Sequence, residues 1–191
     1  MRKIFYVRRT LKQYDAVLAA CKAVFLSKTE DYGTAWRILR TSSLTDQLYI
    51  KARRIRTIEQ VGSQRVEDDV EGDYQGLVNY SLMALIQLSL PEEEKLELSR
   101  EEAEEYYDRF AGQARELMIR KNHDYGEVWR DMRLSSLTDL ILMKLLRIKQ
   151  IEDNEGIVKV SEGLEANYLD IINYALFALI KLSEHKDHNN L

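Results

Sequence analysis

The feature that most constrains this chain is a decapeptide that it contains twice. "KTEDYGTAWR" begins at Lys28, and "KNHDYGEVWR" begins at Lys121, 93 residues later. Residues 28–58 align with residues 121–151 without a gap, and 16 of the 31 aligned pairs are identical. Unrelated chains of ordinary composition share about one position in fifteen. The chain is therefore an internal duplication, and both halves are expected to share one plan.

The apolar pattern in each half predicts three helices and leaves little room for strands. Long apolar segments run without internal proline, and the few glycines fall at their boundaries. The first helices are expected at about residues 11–28 and 100–121, the second helices end at about Gln60 and Glu152, and the third end near Leu88 and Leu182. We therefore predict an all-α fold.

Short polar motifs are expected to mark the helix ends. Asp-Tyr-Gly should stop the first helix of each half, because glycine accepts the backbone angles that end a helix. Ser99 and Glu102 have the spacing of a capping box. A similar Ser-x-x-Asp spacing predicts the starts of the second helices, at Ser43 and Asp46 and at Ser136 and Asp139. The only proline, Pro91, is expected in the connection between the halves.

The third helices decide how the halves are expected to pack. The segment "NYALFALIKL", residues 173–182, is apolar nearly all round, so its helix must be enclosed. The economical arrangement packs the two halves about a pseudo-twofold axis as one helical bundle. We expect residues 1–90 to form the first three-helix repeat and residues 91–191 the second, packed as one globular unit. Such a duplication removes one reason to form a homo-oligomer without forbidding it.

Composition and charge exclude several classes of protein. The net charge is −4, and acidic residues concentrate at residues 92–108 while no basic face stands out, so duplex nucleic acid is not an expected partner. The apolar segments are too short for a signal peptide or a membrane span, and we expect a cytoplasmic protein. The single cysteine, Cys21, lies in an apolar run and is expected to serve helix packing.

The second helix of each half carries cations inside an apolar pattern. Lys144 and Arg147 are three residues apart and are therefore neighbours on the helix surface, and Lys51 and Arg54 repeat them. A buried cation is costly unless it is paired, so these residues need carboxylate partners or an anionic ligand. The alternative is that they extend to the edge of the bundle and form ion pairs with the third helix.

The third helix of the second half carries candidate partners for those cations. Asp170 and Asn173 fall on one polar stripe, with Glu165 nearby, because an α-helix turns 100° per residue. Carboxylates at this spacing could hold Mg²⁺, a cation that prefers oxygen ligands and bridges to phosphates. A buried amide at Asn173 must be hydrogen-bonded, either to a ligand or as a clamp on a neighbouring helix.

The repeated Asp-Tyr-Gly-x-x-Trp motif brings an acid and two large rings close together. Such rings could form the wall of a base-sized pocket. The alternative is that they fill the end of the bundle where the helix stops. Zinc is not expected, since the histidines are not clustered, and no Gly-rich phosphate loop or nucleophile elbow occurs.

Taken together, these motifs resemble the nucleotide modification associated domain of the first type, a helical family. The resemblance covers nearly the whole chain, once per half, and implies a role around free or modified nucleotides. The matching positions in the second half are Lys121, Asp124, Tyr125, Gly126, Trp129, Asp139, Lys144, Arg147, Asp170, Asn173 and Tyr174. Those in the first half are Lys28, Asp31, Tyr32, Trp36, Asp46, Lys51, Arg54 and Asn79, whereas Gly76 stands where Asp170 stands. If that aspartate holds a metal ion, one of the two equivalent sites has lost it.

A looser similarity links the chain to the all-helical nucleoside triphosphate pyrophosphatases of the MazG and dimeric dUTPase type. The similarity implies acids from two helices arranged around Mg²⁺. This chain lacks their paired Glu-x-x-Glu on the second helix and carries Lys and Arg there instead. A pyrophosphatase mechanism is therefore not established by the similarity.

Our leading hypothesis is a protein that binds or processes nucleotides. Lys144 and Arg147 would hold phosphates, Tyr125 or Trp129 would contact the base, and Asn173 would read a polar edge. The further candidate ligand contacts are Lys121 and Asp124, with Lys28, Asp31, Tyr32, Trp36, Lys51, Arg54 and Asn79 in the first half. If there is turnover, Asp170 with Glu165 or Asp139 would place Mg²⁺ and a water. The competing hypothesis is a non-enzymatic helical interaction module, in which the basic residues are paired with acids.

Overall fold

Six α-helices and two short 3₁₀ helices make up the described part of the chain. The computed structural model describes residues 2–65, 67, 69–90, 96–157 and 162–189. The α-helices are α1 (Arg2–Tyr32), α2 (Thr41–Val61), α3 (Val70–Ser89), α4 (Arg100–Tyr125), α5 (Leu134–Asp153) and α6 (Leu164–Asn189). The 3₁₀ helices, Ala35–Ile38 and Val128–Arg130, link α1 to α2 and α4 to α5. These residues contain no strand, so the predicted all-α fold is confirmed.

Asp-Tyr-Gly ends the first helix of each half, one turn later than predicted. Helices α1 and α4 continue to Tyr32 and Tyr125. Gly33 and Gly126 follow with φ of 61° and 70°, backbone angles that glycine adopts without a steric cost. The aspartate and tyrosine of each motif therefore lie in the last turn of a helix.

Two helices also run further than the apolar pattern predicts. Helix α1 begins at Arg2 instead of near Leu11, and α6 continues to Asn189 instead of ending near Leu182. The added turns contact each other: a side-chain oxygen of Glu184 accepts a hydrogen bond from Arg9 at 2.8 Å, and it accepts another from Gln13, in the next turn of α1, also at 2.8 Å. Contacts between distant parts of the chain stabilise these turns, and such contacts leave no apolar period in the sequence.

The predicted capping box at the start of α4 is confirmed. The hydroxyl of Ser99 accepts a hydrogen bond from the backbone N–H of Glu102 at 3.1 Å. The carboxylate of Glu102 accepts one from the backbone N–H of Ser99 at 2.7 Å. Two N–H groups at the helix start, which have no partner within the helix, are thereby satisfied.

The predicted starts of α2 and α5 at the Ser-x-x-Asp motifs are wrong. The residues that precede these helices are Arg40 and Arg133, which have extended backbone. The N–H of Ser43 already donates to the carbonyl of Arg40 at 2.9 Å, and that of Ser136 donates to Arg133 at 3.1 Å. Each serine is therefore inside the first helical turn and lacks the extended backbone that a capping residue needs.

The two halves pack around a shared centre formed by α3 and α6. Helix α2 packs on α3, α5 packs on α6, and α2 also contacts α5, while α1 and α4 lie across both third helices. These matching contacts follow the predicted pseudo-twofold axis. Both third helices are enclosed, as expected from their apolar character: Leu82 of α3 and Leu176 of α6 are fully buried.

Two matching hydrogen-bond networks cross the axis between α2 and α5. The hydroxyl of Thr45 donates to Glu152 at 2.9 Å and lies 2.7 Å from the hydroxyl of Tyr168. The equivalent contacts join Thr138 to Glu59 at 2.8 Å and to Tyr74 at 2.7 Å. Burial raises the pKa of both glutamates, against the smaller lowering effect of the threonine hydrogen bonds. The threonines of the repeated "SSLTD" thus connect one half to the other.

The boundary between the halves adjoins residues that the structure does not describe. Pro91, which was expected in the connection, lies among residues 91–95, outside the described part. The division of the chain after residue 90 therefore stays a prediction.

Candidate functional site

The charged residues of α5 and α6 form a buried cluster in the second half. Asp170 is 4% exposed, and Lys144 is 6% exposed. Nζ of Lys144 lies 2.7 Å from Oδ2 of Asp170, and Nζ of Lys121, on α4, lies 2.5 Å from Oδ1. Burial alone would lower the pKa of Lys121, but its interaction with Asp170 raises that pKa above the ordinary value. The predicted ion pair between a second-helix cation and the third helix is confirmed for Lys144, but this lysine is buried and does not extend to the edge of the bundle.

In the first half, the carboxylate lies one helical turn earlier. Gly76 occupies the position of Asp170, so no carboxylate stands at that point of α3. Asp73, three residues before it, is buried and forms an ion pair with Arg54. Lys51 lies 3.4 Å from the same carboxylate. Its ammonium group is therefore held less closely than that of Lys144.

A cavity of about 130 Å³ opens beside Gly76. We call it the first-half pocket; its polar lining is Lys28, Lys51, Gln75, Asn79 and Tyr80, and the rest is Val24, Phe25, Met83, Gly72 and Gly76. Because Gly76 has no side chain, Lys51 lies directly over α3. A Cβ at residue 76 would stand 2.6 Å from Cε and 2.7 Å from Cδ of Lys51. Two lysine side chains, one from α1 and one from α2, thus face one open space.

Larger residues stand at several equivalent positions in the second half. Asp170, Leu169 and Phe177 take the places of Gly76, Gln75 and Met83. The ring of Phe177 stacks on Trp129 with centroids 4.3 Å apart. The two lysines of this half therefore meet a side-chain carboxylate where those of the first half meet a cavity.

The two predicted asparagines act as clamps between helices. The amide of Asn173 donates to the carbonyl of Ala114 and accepts from the hydroxyl of Tyr14, at 3.0 and 2.8 Å. The equivalent contacts of Asn79, with Cys21 and Tyr107, are both 3.0 Å. Burial raises the pKa of both tyrosine hydroxyls far above the ordinary value, so they remain donors. Donor and acceptor atoms of each amide are thus engaged within the protein, although Asn79 also lines the first-half pocket.

The structure separates the aromatic rings of the Asp-Tyr-Gly-x-x-Trp motifs. Tyr32 and Tyr125 are 69% and 73% exposed. Trp129 is buried against Phe177, and Trp36 is half-buried. None of these four rings lines the first-half pocket. A role for Tyr32, Tyr125, Trp36 or Trp129 in holding a base stays a prediction.

Comparison with protein families identifies the repeat. A family model described as nucleotide modification associated domain 1 matches residues 28–88 and, a second time, residues 121–182. The chain belongs to this family. It contains two copies of the nucleotide modification associated domain, which confirms the resemblance and the duplication.

Each copy of the domain contains its own version of the lysine site. The first match includes Lys28, Lys51 and Gly76, and the second includes Lys121 and Asp170. Searches of curated proteins and of solved structures found no match. Across the described ranges, no helix has the length and apolar character needed to cross a membrane.

The three carboxylates predicted to act with Mg²⁺ are not arranged as a metal site. Asp139 is exposed and lies 3.6 Å from Arg56, Glu165 is exposed in the first turn of α6, and Asp170 is buried between two lysines. Across the described residues, no group of three or more His, Cys, Asp and Glu side chains could hold a metal ion. Two ammonium groups already occupy the oxygens of Asp170, and they would repel a cation. The residues present therefore do not fit Mg²⁺ at Asp170, and we derive no reaction step through it.

The remaining predicted contacts lie toward solvent. Asp31 and Arg147 are exposed, and Asp124 is exposed beside His123, with 3.0 Å between Nδ1 and Oδ1. Burial is the main cause that raises the pKa of Tyr174, and the nearby positive charge of Arg147 acts in the opposite direction. The structure thus brings Lys121 and Lys144 to Asp170 and places Lys28, Lys51 and Asn79 around one pocket, whereas Asp31 and Asp124 are outside the lining of that pocket.

Sequence reasoning missed several residues of the site. Asp73, Gln75 and Tyr80 were not predicted, although the alignment carried a signal for Asp73. Its counterpart is Asn167, while the counterpart of Gly76 is Asp170, so the carboxylate changes place by one helical turn between the halves. The clamping tyrosines, Tyr14 and Tyr107, are also 93 residues apart, but they precede the aligned segments and carried no signal of their own.

Proposed function

We propose that this protein binds a nucleotide by its phosphate in the first-half pocket. The observation that supports this most directly is the pair Lys28 and Lys51, which project from two different helices into one cavity. Membership of a family named for nucleotide modification makes a nucleotide the expected class of ligand. The site differs from our leading hypothesis, which used Lys144 and Arg147 to hold the phosphates.

The charges around the pocket favour an anion. Asp73 is the buried carboxylate of this region, and it pairs with Arg54 as well as with Lys51. Within the described part of the chain, no carboxylate forms an ion pair with Lys28. Lysine ammonium groups bind phosphate as point charges that can rotate to follow its oxygens. Gln75 and Tyr80 add hydrogen-bonding groups at the same wall.

The size of the pocket indicates which part of a nucleotide it takes. Pockets that enclose a whole small ligand measure about 300–1,000 Å³, whereas this cavity measures about 130 Å³. It therefore suits a phosphate group, and the nucleoside would extend along the surface outside it.

Binding can be measured by thermal unfolding with a panel of nucleoside mono-, di- and triphosphates, each with and without Mg²⁺. A ligand at 100 times its dissociation constant adds about 2.7 kcal/mol, which raises the midpoint by roughly 5–10 °C for a chain of this size. Lys28→Glu should remove the shift without unfolding the protein, because Lys28 is exposed. Arg53→Glu is the matched control, since Arg53 is exposed on α2 and lies outside the pocket lining. A flat panel, or equal shifts in both variants, would overturn the proposal.

Hydrolysis of a nucleotide is a finer hypothesis that depends on Asp170 acting with Glu165 or Asp139. Asp170 does not fit Mg²⁺, because the ammonium groups of Lys121 and Lys144 hold its oxygens. The test is release of phosphate or pyrophosphate from the nucleotide that gives the largest thermal shift, compared between the native protein and Asp170→Asn. Equal rates in the two proteins would remove Asp170 from the reaction.

The buried pair of Lys144 and Asp170 favours a second candidate, a helical interaction module without enzymatic activity. If the pair is only structural, Lys144→Met combined with Asp170→Leu should leave the stability to urea unchanged or raise it, because buried ion pairs can often be replaced by apolar groups. A large loss of stability would argue against a purely structural pair. The nucleotide panel separates the two functions, since the module predicts no shift with any nucleotide.

A further inference from the structure

We infer that the second half is a permanently filled copy of the first-half pocket, in which the carboxylate of Asp170 occupies the place that the ligand's phosphate takes between Lys28 and Lys51. The chain then binds one phosphate-bearing ligand, and only in its first half. This inference rests on the proposed function and adds to it the position of the phosphate and the number of sites.

In the filled copy, one carboxylate contacts two lysines. The oxygens of Asp170 lie 2.5 Å from Nζ of Lys121 and 2.7 Å from Nζ of Lys144. The equivalents of these lysines are Lys28 and Lys51, which line the first-half pocket. One group with two acceptor oxygens can therefore satisfy both ammonium groups at once in this fold.

The first half has no carboxylate at the position equivalent to Asp170. At Gly76 the chain supplies no side chain, and Lys51 lies over the space that a Cβ would take. Asp73 partly compensates, but it stands a full turn earlier and 3.4 Å from Lys51. An oxyanion that enters the pocket can draw Lys51 toward Lys28, as Asp170 holds Lys144 near Lys121.

The surroundings of this position indicate the chemical class of the ligand. Asp170 is 4% exposed, so its position is largely screened from water, and attraction between opposite charges is stronger there than in bulk solvent. A phosphate presents several oxygens and can bond two lysines and a neutral donor together. Gln75 lines the pocket where the second half has Leu169, so only the first half offers a further donor at that point. Both the terminal phosphate of a nucleotide and free pyrophosphate meet these requirements.

Two exchanges between the halves test the inference, with calorimetric titration of inorganic pyrophosphate as the readout. The native protein should bind one equivalent. Gly76→Asp should bind none, or at least tenfold more weakly, because the new carboxylate takes the phosphate position. Gly76→Ala is the control that adds a Cβ without the charge, and it should bind more tightly than Gly76→Asp. Asp170→Gly should open the second site and bind two equivalents.

Thermal unfolding gives a second readout for the opened site. Asp170→Gly should unfold at a lower temperature than the native protein, because Lys144 loses its partner. Pyrophosphate should restore more of that loss than sodium chloride of the same ionic strength does. Asp170→Ala, which also removes the carboxylate but keeps a better helix former than glycine, replaces Asp170→Gly if that variant does not fold.

The outcomes separate the two proposals. If the native protein binds neither pyrophosphate nor any nucleotide of the panel, the proposed function fails, and this inference fails with it. If the native protein binds while Gly76→Asp binds equally well, or while the opened second half gains neither a site nor specific stabilisation, only this inference is overturned. Competition by the panel nucleotides for the bound pyrophosphate assigns the site to a nucleotide phosphate, and lack of competition overturns that assignment.

Discussion

The two halves of the bundle share their clamps and differ in where the third helix carries its carboxylate, at Asp73 in the first half and at Asp170 in the second. Each half fixes its third helix with an asparagine, a backbone carbonyl and a tyrosine from the other half. In contrast, one half fills the space between its two lysines with Asp170, whereas the other leaves a cavity beside Gly76. The contacts that hold the third helices are present in both copies, so the difference between Gly76 and Asp170 is the best candidate for a difference in function.

The largest expected effect on stability comes from removing Asp170, and removing Asp73 in the first half should have a smaller one. Asp170→Ala leaves Lys144 without a partner, and its side chain is only 8% exposed. Breaking a buried pair in this way costs about 3–5 kcal/mol. Asp73→Ala should cost about 1 kcal/mol, because the side chains of Lys51 and Arg54 are 29% and 24% exposed and can turn toward water. Urea unfolding measures both variants, and equal losses would contradict the contrast between the halves.

The next effect should be the same in both halves. Asn173→Ala leaves the carbonyl of Ala114 and the hydroxyl of Tyr14 without their partner, and Asn79→Ala does the same to Cys21 and Tyr107. An unsatisfied buried polar group costs about 1–3 kcal/mol, and each variant leaves two of them, so each should lose at least about 2 kcal/mol. The free energies of unfolding in urea should agree within about 1 kcal/mol, since the contacts are equivalent. A loss confined to one half would show that the clamps are not shared.

The smallest effect is a pH dependence that should also be common to the two halves. Burial raises the pKa of Glu59 and of Glu152. Between the ordinary pKa of glutamate and the higher pKa in the folded protein, the folded state binds protons that the unfolded chain has released. The free energy of unfolding therefore falls as the pH rises through this interval.

Glu59→Gln and Glu152→Gln test this dependence, because glutamine can still accept the threonine hydrogen bond. Each variant should be slightly more stable than the native protein at pH 7. That difference should shrink as the pH falls toward about 4.3, the ordinary pKa of glutamate. Thermal unfolding from pH 4 to 8 measures it. A difference that grows on acidification would have the wrong sign and would contradict the account.

Much of the architecture could be predicted from the sequence, because helices and duplications leave regular patterns. The doubled motif, the apolar third helices and the glycines after Tyr32 and Tyr125 led to an all-α bundle in two copies. The starts of α2 and α5 were wrong, since side-chain spacing does not show whether the backbone of Ser43 or Ser136 is extended.

The site was harder to predict because it depends on contacts between distant residues. The alignment showed that Gly76 replaces Asp170, and this was interpreted as the loss of an acid from one site. That the change leaves a cavity depends on the path of Lys51 over α3, which no sequence pattern reports. The motif's tyrosine and tryptophan are close in sequence, yet the turn at Gly126 leaves Tyr125 exposed and Trp129 buried.

The measurement that tests the central claim most directly is thermal unfolding of the native protein beside Gly76→Asp, with the nucleotide panel at millimolar concentration. We expect at least one nucleotide to raise the midpoint of the native protein by several degrees. The same nucleotide should leave Gly76→Asp unchanged, because the added carboxylate occupies the position of the phosphate. A flat panel for the native protein, or the same shift in both proteins, would contradict a phosphate site in the first-half pocket.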